Sequence, residues 1–258
     1  MPGAIATIVE NGRVAGIHPF GVRRAGEAAA VDSETIFEAA SLSKPVFASA
    51  VLRLVAAKAL DLDRPLDQVL PLASDPRARL VSARHLLSHS SGAPHGYRGQ
   101  PTGQFKTTAG RQMAEIALEW NKPVESWFYE NVERAMPRLN RPALPNYMQP
   151  NAASSLMTTA ADYARFLLHS FSLDAMRQPQ ARVNSDLSWG LGCGLEMASG
   201  RQWFWHWGDN PGFKNFFIAD AKARSGILIF TNGDGGAKLY QRIVRHALGR
   251  DFSTFLWA

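Results

Sequence analysis

The sequence predicts an α+β fold, in which an antiparallel sheet from both chain ends is flanked by helices and joined to a mostly helical lobe. Two observations support this prediction. Short apolar and aromatic segments separated by turn residues occur at the start of the chain and again after about residue 176. Between them, apolar residues recur at helical spacing. We expect a functional site in the cleft between the two parts.

The size and composition of the chain suit one globular domain. Its 258 residues are 46% hydrophobic and 19% charged, so the chain can bury a large core. We therefore predict a single domain over 1–258. The predicted sheet lobe covers about 1–60 and 176–258, and the predicted helical lobe covers about 61–175.

The first elements are a hairpin and a helix. The segment GAIATIVENGRVAGIHPFG predicts two strands around the tight turn Asn11-Gly12. From Ser33 onward, ETIFEAASLSKPVFASAVLRLVAAKALDL has apolar residues at helical spacing. Pro45 fits the first turn of a helix, where its missing N–H loses no partner. The helix is thus expected to begin near Ser41, close to the positive end of its dipole.

The later elements follow the same two patterns. VSARHLLSHSSG predicts a helix from near Ser82 that ends by Gly92, and AADYARFLLHSF predicts an amphipathic helix. Strands are predicted in WGLGCGLEM, RQWFWHWG, KNFFIADA and SGILIFTNG, before a last helix in AKLYQRIVRHALG.

Charge and cysteine content exclude several classes of function. The net charge is +6, but the basic residues are scattered, and the pair Arg23-Arg24 is too small for a nucleic-acid surface. Cys193 is the only cysteine, so neither an intramolecular disulfide nor a thiolate cluster can form. The seven histidines show no HExxH spacing. We predict no metal, no cofactor and no nucleic-acid partner, and a small molecule as substrate.

The N-terminus carries no recognisable leader. MPGAIATIVENGRV lacks a basic segment followed by a long apolar run, so we predict neither a signal peptide nor a membrane span. A cytoplasmic location is expected unless a leader has been removed.

The pair Ser41 and Lys44 is the first candidate for chemistry. Three residues apart on a helix, their side chains share a face and can meet. A serine hydroxyl is a weak nucleophile that needs a base, and a lysine becomes a base when desolvation lowers its pKa. The alternative is a helix N-cap serine beside an exposed lysine. Ser43 is a second serine nearby, but it is adjacent to Lys44 and points elsewhere.

An ordered set of motifs covers nearly the whole chain. FEAASLSKPVFASAVLRLVAAKALDLDRPLDQVLP is followed by SARHLLSHSSGAPH, NAASSLMTTAADYARFL, WGLGCGLE, FWHWGDNPGFKNFF and ILIFTNGDGG. In this order they resemble the serine β-lactamase and penicillin-binding-protein superfamily, above all its class C-like esterase and serine hydrolase branch.

The resemblance assigns roles to residues of two segments. It implies that Ser41 is the acylated nucleophile and Lys44 its lysine. His206-Trp207-Gly208 falls where the superfamily carries a Lys/His-x-Gly triplet on a strand. The N–H that follows Gly208, at Asp209, would pair with the Ser41 N–H to bind an oxyanion. His206 would add a donor or a positive charge beside the substrate.

The alternative for His206 is a place in an aromatic cluster, because Trp203, Phe204, Trp205 and Trp207 surround it in sequence. The three tryptophans alternate along one strand and so lie on one sheet face. They line an aromatic pocket or are buried under a helix.

A third motif is implied in KPVESWFYENVERA. It resembles the family segment Pro-Gly-x-x-Phe/Trp-x-Tyr-Ser-Asn, which makes Tyr129 the catalytic tyrosine and Asn131 an amide that orients substrate or lysine. Val124 replaces the usual glycine and Glu130 the usual serine. The stretch between this segment and NAASSLMTTA is shorter than in relatives, which should open one wall of the cleft.

Together these features predict a serine hydrolase, or an acyltransferase, that acts on a small ester or amide through a Ser41 acyl-enzyme. Lys44 and Tyr129 would share the proton transfers. β-Lactam hydrolysis is the second choice of reaction. The alternative from another class is a catalytically altered family member that only binds a small molecule in the same cleft.

Overall fold

The computed structural model of the protein describes residues 1–69, 79–91 and 152–257. Most of the predicted helical lobe, about 61–175, lies outside these ranges, and so do Tyr129, Asn131, Val124 and Glu130. The lobe boundaries and the roles of these four residues therefore stay predictions.

Both ends of the chain contribute to one antiparallel sheet, as the sequence predicts. Its eight strands are β1 Gly3–Glu10, β2 Arg13–Gly21, β5 Ala181–Arg182, β6 Leu187–Trp189, β7 Gly194–Ala198, β8 Arg201–Asn210, β9 Phe213–Asp220 and β10 Ser225–Thr231. Their order in the sheet is β2-β1-β10-β9-β8-β7-β6-β5. N-terminal β1 pairs with C-terminal β10, with Ala4 opposite Thr231.

Two more strands form a small separate ladder: β3 Phe37–Glu38 pairs with β4 Met157–Thr158. The turn between β1 and β2 is the one predicted. Asn11 has φ 51° and Gly12 has φ 76°, and two consecutive positive φ angles are the requirement of a type I′ hairpin turn.

The described helices are α1 Ser43–Ala56, α2 Ala83–Leu87, α3 Ala160–Ser170, α4 Gly236–Leu248 and α5 Thr254–Trp257, with 3₁₀ turns at Ala40–Leu42, Leu66–Gln68 and Asp174–Arg177. The helix begins close to Ser41, as the sequence predicts, and the helical spacing between Ser33 and Ser41 does not extend it toward the N-terminus. Phe37 is instead buried in β3, stacked on Phe230 with ring centroids 5.6 Å apart. Ser41 lies in the 3₁₀ turn that precedes α1.

Helices cover both faces of the sheet. Because side chains alternate along a strand, one face packs on α3 and the turn before α1, and the other packs on α4 and α5. The first face includes Ile5, Leu42, Leu167, Phe204, Phe217 and Phe230. The second includes Trp203, Trp205, Phe216, Tyr240, Val244 and Phe252. Trp203 and Trp205 are thus buried on the face that α4 and α5 cover, with Trp203 against Phe252 at 5.1 Å between ring centroids, whereas Trp207 is half-buried.

A helix must be long and apolar to cross a membrane. None of the helices within the described ranges combines the length and the apolar character needed to cross a bilayer.

Candidate active site

Ser41 lies in a tight turn whose backbone is strained. Ala40, directly before it, has φ 51° although it is not glycine, a conformation that costs roughly 1–2 kcal/mol for an L-residue. Hydrogen bonds on both sides hold the turn: Ala39 N–H donates to Leu156 O at 2.8 Å, and Leu42 N–H donates to Ala39 O at 3.1 Å. Such strain persists only where the surrounding structure enforces it, and it is common at functional sites.

Ser43 anchors this turn from below. Its Oγ donates to Ala40 O at 2.6 Å and accepts from Leu156 N–H at 3.0 Å. The side chain is buried and both functions of its hydroxyl are used. Ser43 is therefore a structural residue, whereas Ser41 is only half-buried.

Lys44 meets Ser41 directly. Its Nζ lies 2.7 Å from Ser41 Oγ and donates to Ala153 O at 3.0 Å. Burial lowers the pKa of Lys44 from 10.5 to about 8, because desolvation disfavours the ammonium. A substantial share of the lysine is therefore neutral near pH 8, with a lone pair that can accept the Ser41 proton.

Tyr163, on α3, supports the same turn. Its buried hydroxyl donates to Leu42 O at 2.9 Å. Burial raises the pKa of Tyr163 well above its ordinary value, so the hydroxyl keeps its proton. Tyr163 lies in the helix predicted from AADYARFLLHSF. Its hydrogen bond to Leu42 fixes the residue next to Ser41.

Strand β8 presents one edge beside this turn. Its pairing with β7 ends at Gly194 opposite Trp205, whereas its pairing with β9 continues to Asn210 opposite Phe213. In the described part of the chain, residues 206–210 thus have a strand on one side only. A strand edge without a neighbouring strand can offer main-chain N–H and C=O groups to a ligand.

Gly208 brings this edge close to the turn. A Cβ built on Gly208 would lie 2.3 Å from Ala39 O and 3.2 Å from Ala40 Cβ. Any side chain at this position would therefore push β8 and the Ser41 turn apart, which gives the glycine a specific packing reason.

His206 lies on the same face of β8 as Gly208. It is 2% exposed, and its Nδ1 lies 2.6 Å from Trp207 O. Burial, together with the positive charge of Lys44, lowers the pKa of His206 to about 3. Desolvation beside a second cationic group favours the neutral imidazole, and the role of His206 beside the substrate stays a prediction.

The side chains of Trp207 and Asp209 lie on the opposite face of β8. Trp207 packs on Trp205 and Trp189, at 5.4 and 5.9 Å between ring centroids. Asp209 forms an ion pair with Lys214, its cross-strand neighbour on β9. Only main-chain groups of Trp207 and Asp209 can therefore reach the Ser41 side of the strand, and their roles toward substrate stay predictions.

A buried polar network behind the site was not predicted from the sequence. Asn215 on β9 donates through Nδ2 to Glu38 O at 2.7 Å, and its Oδ1 accepts from Thr231 N–H at 3.1 Å. Asn210 Nδ2 donates to Glu38 Oε2 at 2.7 Å, while burial raises the pKa of Glu38. The detectable signal was Asn215 itself, a lone amide in the apolar strand FKNFF.

Metal ligands do not cluster in the described ranges: they contain no group of three or more His, Cys, Asp or Glu side chains that could hold a metal ion. Tyr129 and Asn131 lie outside those ranges, so the structure does not describe their position relative to Ser41.

Two characterised proteins share sequence with the chain. It is 36% identical over 94 residues to esterase EstB of Burkholderia gladioli, covering 35% of this chain and 24% of that protein. It is 29% identical over 129 residues to penicillin-binding protein 4* of Bacillus subtilis, covering 47% of this chain and 28% of that protein. The matches thus span about a quarter of each relative's length.

Solved structures with the same fold cover almost the entire chain. A β-lactamase/D-alanine carboxypeptidase from Pseudomonas syringae matches 96% of this chain and 94% of its own, with a TM-score of 0.67 and 18% identity. A D-amino acid amidase from Ochrobactrum anthropi matches 91% of this chain and 88% of its own, with a TM-score of 0.62 and 18% identity. At this identity the likeness shows the fold alone.

Family membership follows from a match to most of the sequence. The family model described as Beta-lactamase matches residues 1–136 and 129–250. Together with the antiparallel sheet flanked by helices and the turn that carries Ser41, this match shows that the chain belongs to the β-lactamase family.

Proposed function

We propose that the protein is a serine hydrolase that cleaves a small ester or amide through an acyl-enzyme on Ser41. The observation that carries this proposal is the 2.7 Å contact between Lys44 Nζ and Ser41 Oγ, with the pKa of Lys44 lowered to about 8. The family supports it, and so do the names of the relatives, which include an esterase.

In the first step, Ser41 Oγ attacks the carbonyl carbon of the substrate. Its proton passes to the lone pair of neutral Lys44, so that an oxygen–carbon bond forms as the oxygen–hydrogen bond breaks. When the tetrahedral intermediate collapses, the alcohol or amine leaves with a proton from Lys44. We propose that Tyr129 shares this proton transfer and that Asn131 orients the substrate or the lysine.

The oxyanion of the intermediate needs preorganised donors. We assign this role to the main-chain N–H groups of Ser41 and Asp209. Two observations support the assignment: β8 packs against the Ser41 turn at Gly208, and within the described ranges the pairing of β7 with β8 does not continue beyond Trp205.

In the second step, an acceptor attacks the acyl carbon and gives up its proton to the same base. The bond between the acyl carbon and Ser41 Oγ then breaks, and Lys44 returns a proton to Ser41 Oγ. Water as acceptor makes the enzyme a hydrolase, whereas an alcohol or amine makes it an acyltransferase. Among acyl donors we place esters and amides first and β-lactams second.

The test is steady-state turnover of p-nitrophenyl esters of increasing acyl length by wild type, Ser41→Ala and Lys44→Met. We expect wild type to turn over at least one ester, Ser41→Ala to show only the spontaneous rate, and Lys44→Met to lose at least about 10²-fold in kcat/KM, the size of a lost general base. Turnover that is unchanged in Ser41→Ala would overturn the proposal.

A further inference from the structure

The side-chain amide of Asn210 connects two segments of the chain that lie beside Ser41. Asn210 is the last residue of β8, and its Nδ2 donates to Glu38 Oε2 at 2.7 Å and to Ser154 O at 3.4 Å. An amide nitrogen carries two hydrogens, so it can serve both acceptors at once. Asn210 O in turn accepts a hydrogen bond from Lys214 Nζ at 3.2 Å, which holds the residue at the end of its strand.

Ser154 directly follows the residue that holds the lysine of the site. Lys44 Nζ donates to Ala153 O at 3.0 Å and lies 2.7 Å from Ser41 Oγ. A shift of the main chain at Ser154 would therefore move the neighbouring acceptor and, with it, the lysine. The geometry of the base thus depends on what holds this short stretch in place.

The far end of the same stretch is fixed to the Ser41 turn. Leu156 O accepts from Ala39 N–H at 2.8 Å, and Leu156 N–H donates to Ser43 Oγ at 3.0 Å. The contact of Asn210 with Ser154 O holds the stretch two residues earlier, next to the acceptor of the lysine.

Glu38 keeps the amide of Asn210 in its orientation. Its half-buried carboxyl accepts from Nδ2, and burial raises the pKa of Glu38. Losing this donor would leave a desolvated acceptor unpaired, so the two side chains are expected to stay together. Because Glu38 lies on β3, three residues before Ser41, the pair also ties the end of β8 to the segment that enters the Ser41 turn.

We propose that Asn210 is a positioning residue, whose amide holds the main chain at Ser154 and thereby the neighbouring carbonyl oxygen that keeps Lys44 in place. Glu38 orients the amide, and neither side chain needs to touch the substrate. The inference rests on the proposed function, because it concerns the geometry of the base in the same acyl transfer.

The first test is Asn210→Leu, which has a similar volume but cannot donate. We measure kcat/KM for a phenyl ester between pH 6 and pH 10, with phenol release followed by chromatography and the spontaneous rate subtracted. We expect kcat/KM to fall about tenfold to a hundredfold, the size of an effect from a displacement of about 1 Å. The midpoint of the pH profile should also move upward from about 8, because a looser main chain admits water to Lys44 and desolvation is the cause of its lowered pKa.

Two substitutions at Glu38 separate the position of the amide from the charge of the carboxylate. Glu38→Leu removes the acceptor and should reproduce both effects of Asn210→Leu. Glu38→Gln keeps an acceptor oxygen without the charge, so it should keep most of the activity that Glu38→Leu loses. The matched control is Gln178→Leu, which removes an exposed amide and should change neither kcat/KM nor the midpoint.

The midpoint distinguishes positioning from loss of folded protein, because a smaller folded fraction lowers kcat/KM by one factor at every pH. A midpoint that stays at about 8 in Asn210→Leu overturns the inference, and the proposed function stands as long as turnover by wild type depends on Ser41. If wild type shows no such turnover, both are overturned. Should Asn210→Leu not fold, Asn210→Ala removes the amide without adding apolar volume and is judged by the same midpoint.

Discussion

Gly208 lies so close to Ala39 that a Cβ built on the glycine would be 2.3 Å from the main-chain oxygen of Ala39. The contact joins β8 to the turn that carries Ser41. It is made by main-chain atoms on both sides, so it restricts how closely β8, which carries the Asp209 N–H that we propose as an oxyanion donor, can approach the nucleophile.

We expect Gly208→Ala to lower kcat/KM for an ester substrate at least about a hundredfold, because displacing catalytic groups by about 1 Å has effects of this size. The measurement is steady-state turnover. Gly235→Ala is the matched control, since a Cβ there meets no atom within 4 Å and its φ is −72°. Full activity in Gly208→Ala would show that this contact does not position the site.

The pH profile of acylation follows from the pKa of Lys44. The base is the neutral lysine, so kcat/KM should rise with pH through about 8 and level off above it. The pKa of Lys44 shifts downward from 10.5 because desolvation favours the neutral form of the lysine. The measurement is kcat/KM between pH 6 and pH 10 for an ester without ionisable groups. A profile that is flat across this range is the contrary result.

Substitutions at Ser43 and at Ser41 should differ in their effect on the stability of the protein. Ser43→Ala removes the hydroxyl that bridges Ala40 O and Leu156 N–H, so the free energy of unfolding should fall by about 1–3 kcal/mol. Ser41→Ala should change it by less than about 0.5 kcal/mol, as expected for a half-buried residue outside a packed core. Urea unfolding measures both. A larger loss of unfolding free energy in Ser41→Ala than in Ser43→Ala would mean that Ser41 holds the turn.

Asn215 should contribute to stability through its two buried partners. Asn215→Leu has a similar volume but leaves Glu38 O and Thr231 N–H unpaired, which should lower the free energy of unfolding by roughly 2–5 kcal/mol. Urea unfolding of the variant beside wild type provides the measurement. A loss below about 0.5 kcal/mol would indicate that water replaces the amide.

The fold was largely predictable because its signals are local. Asn11-Gly12 requires its own turn conformation, and the period of the apolar residues separates helices from strands. The edge strand Ala181–Arg182 and the short helix Thr254–Trp257 are too brief to produce a period. Strand β3, which contains Phe37, was not predicted, because its conformation depends on β4 and β10, which are distant in sequence.

Within the site, the sequence predicted a side-chain contact only for two residues that lie one helical turn apart. Ser41 and Lys44 meet because three residues on a helix bring side chains together. The neutral state of His206 could not be predicted, since it depends on burial and on Lys44, 162 positions earlier in the sequence. The partners of Asn215 lie on β3 and β10, which only the folded sheet brings to it.

Covalent labelling shows whether Ser41 is the nucleophile that forms the acyl-enzyme. Wild type, Ser41→Ala and Ser43→Ala are each treated with a fluorophosphonate and analysed by intact-protein mass spectrometry and peptide mapping. We expect one adduct on Ser41 in wild type and in Ser43→Ala, and none in Ser41→Ala. An unmodified wild-type protein, or an adduct that persists in Ser41→Ala, would contradict an acyl-enzyme on Ser41.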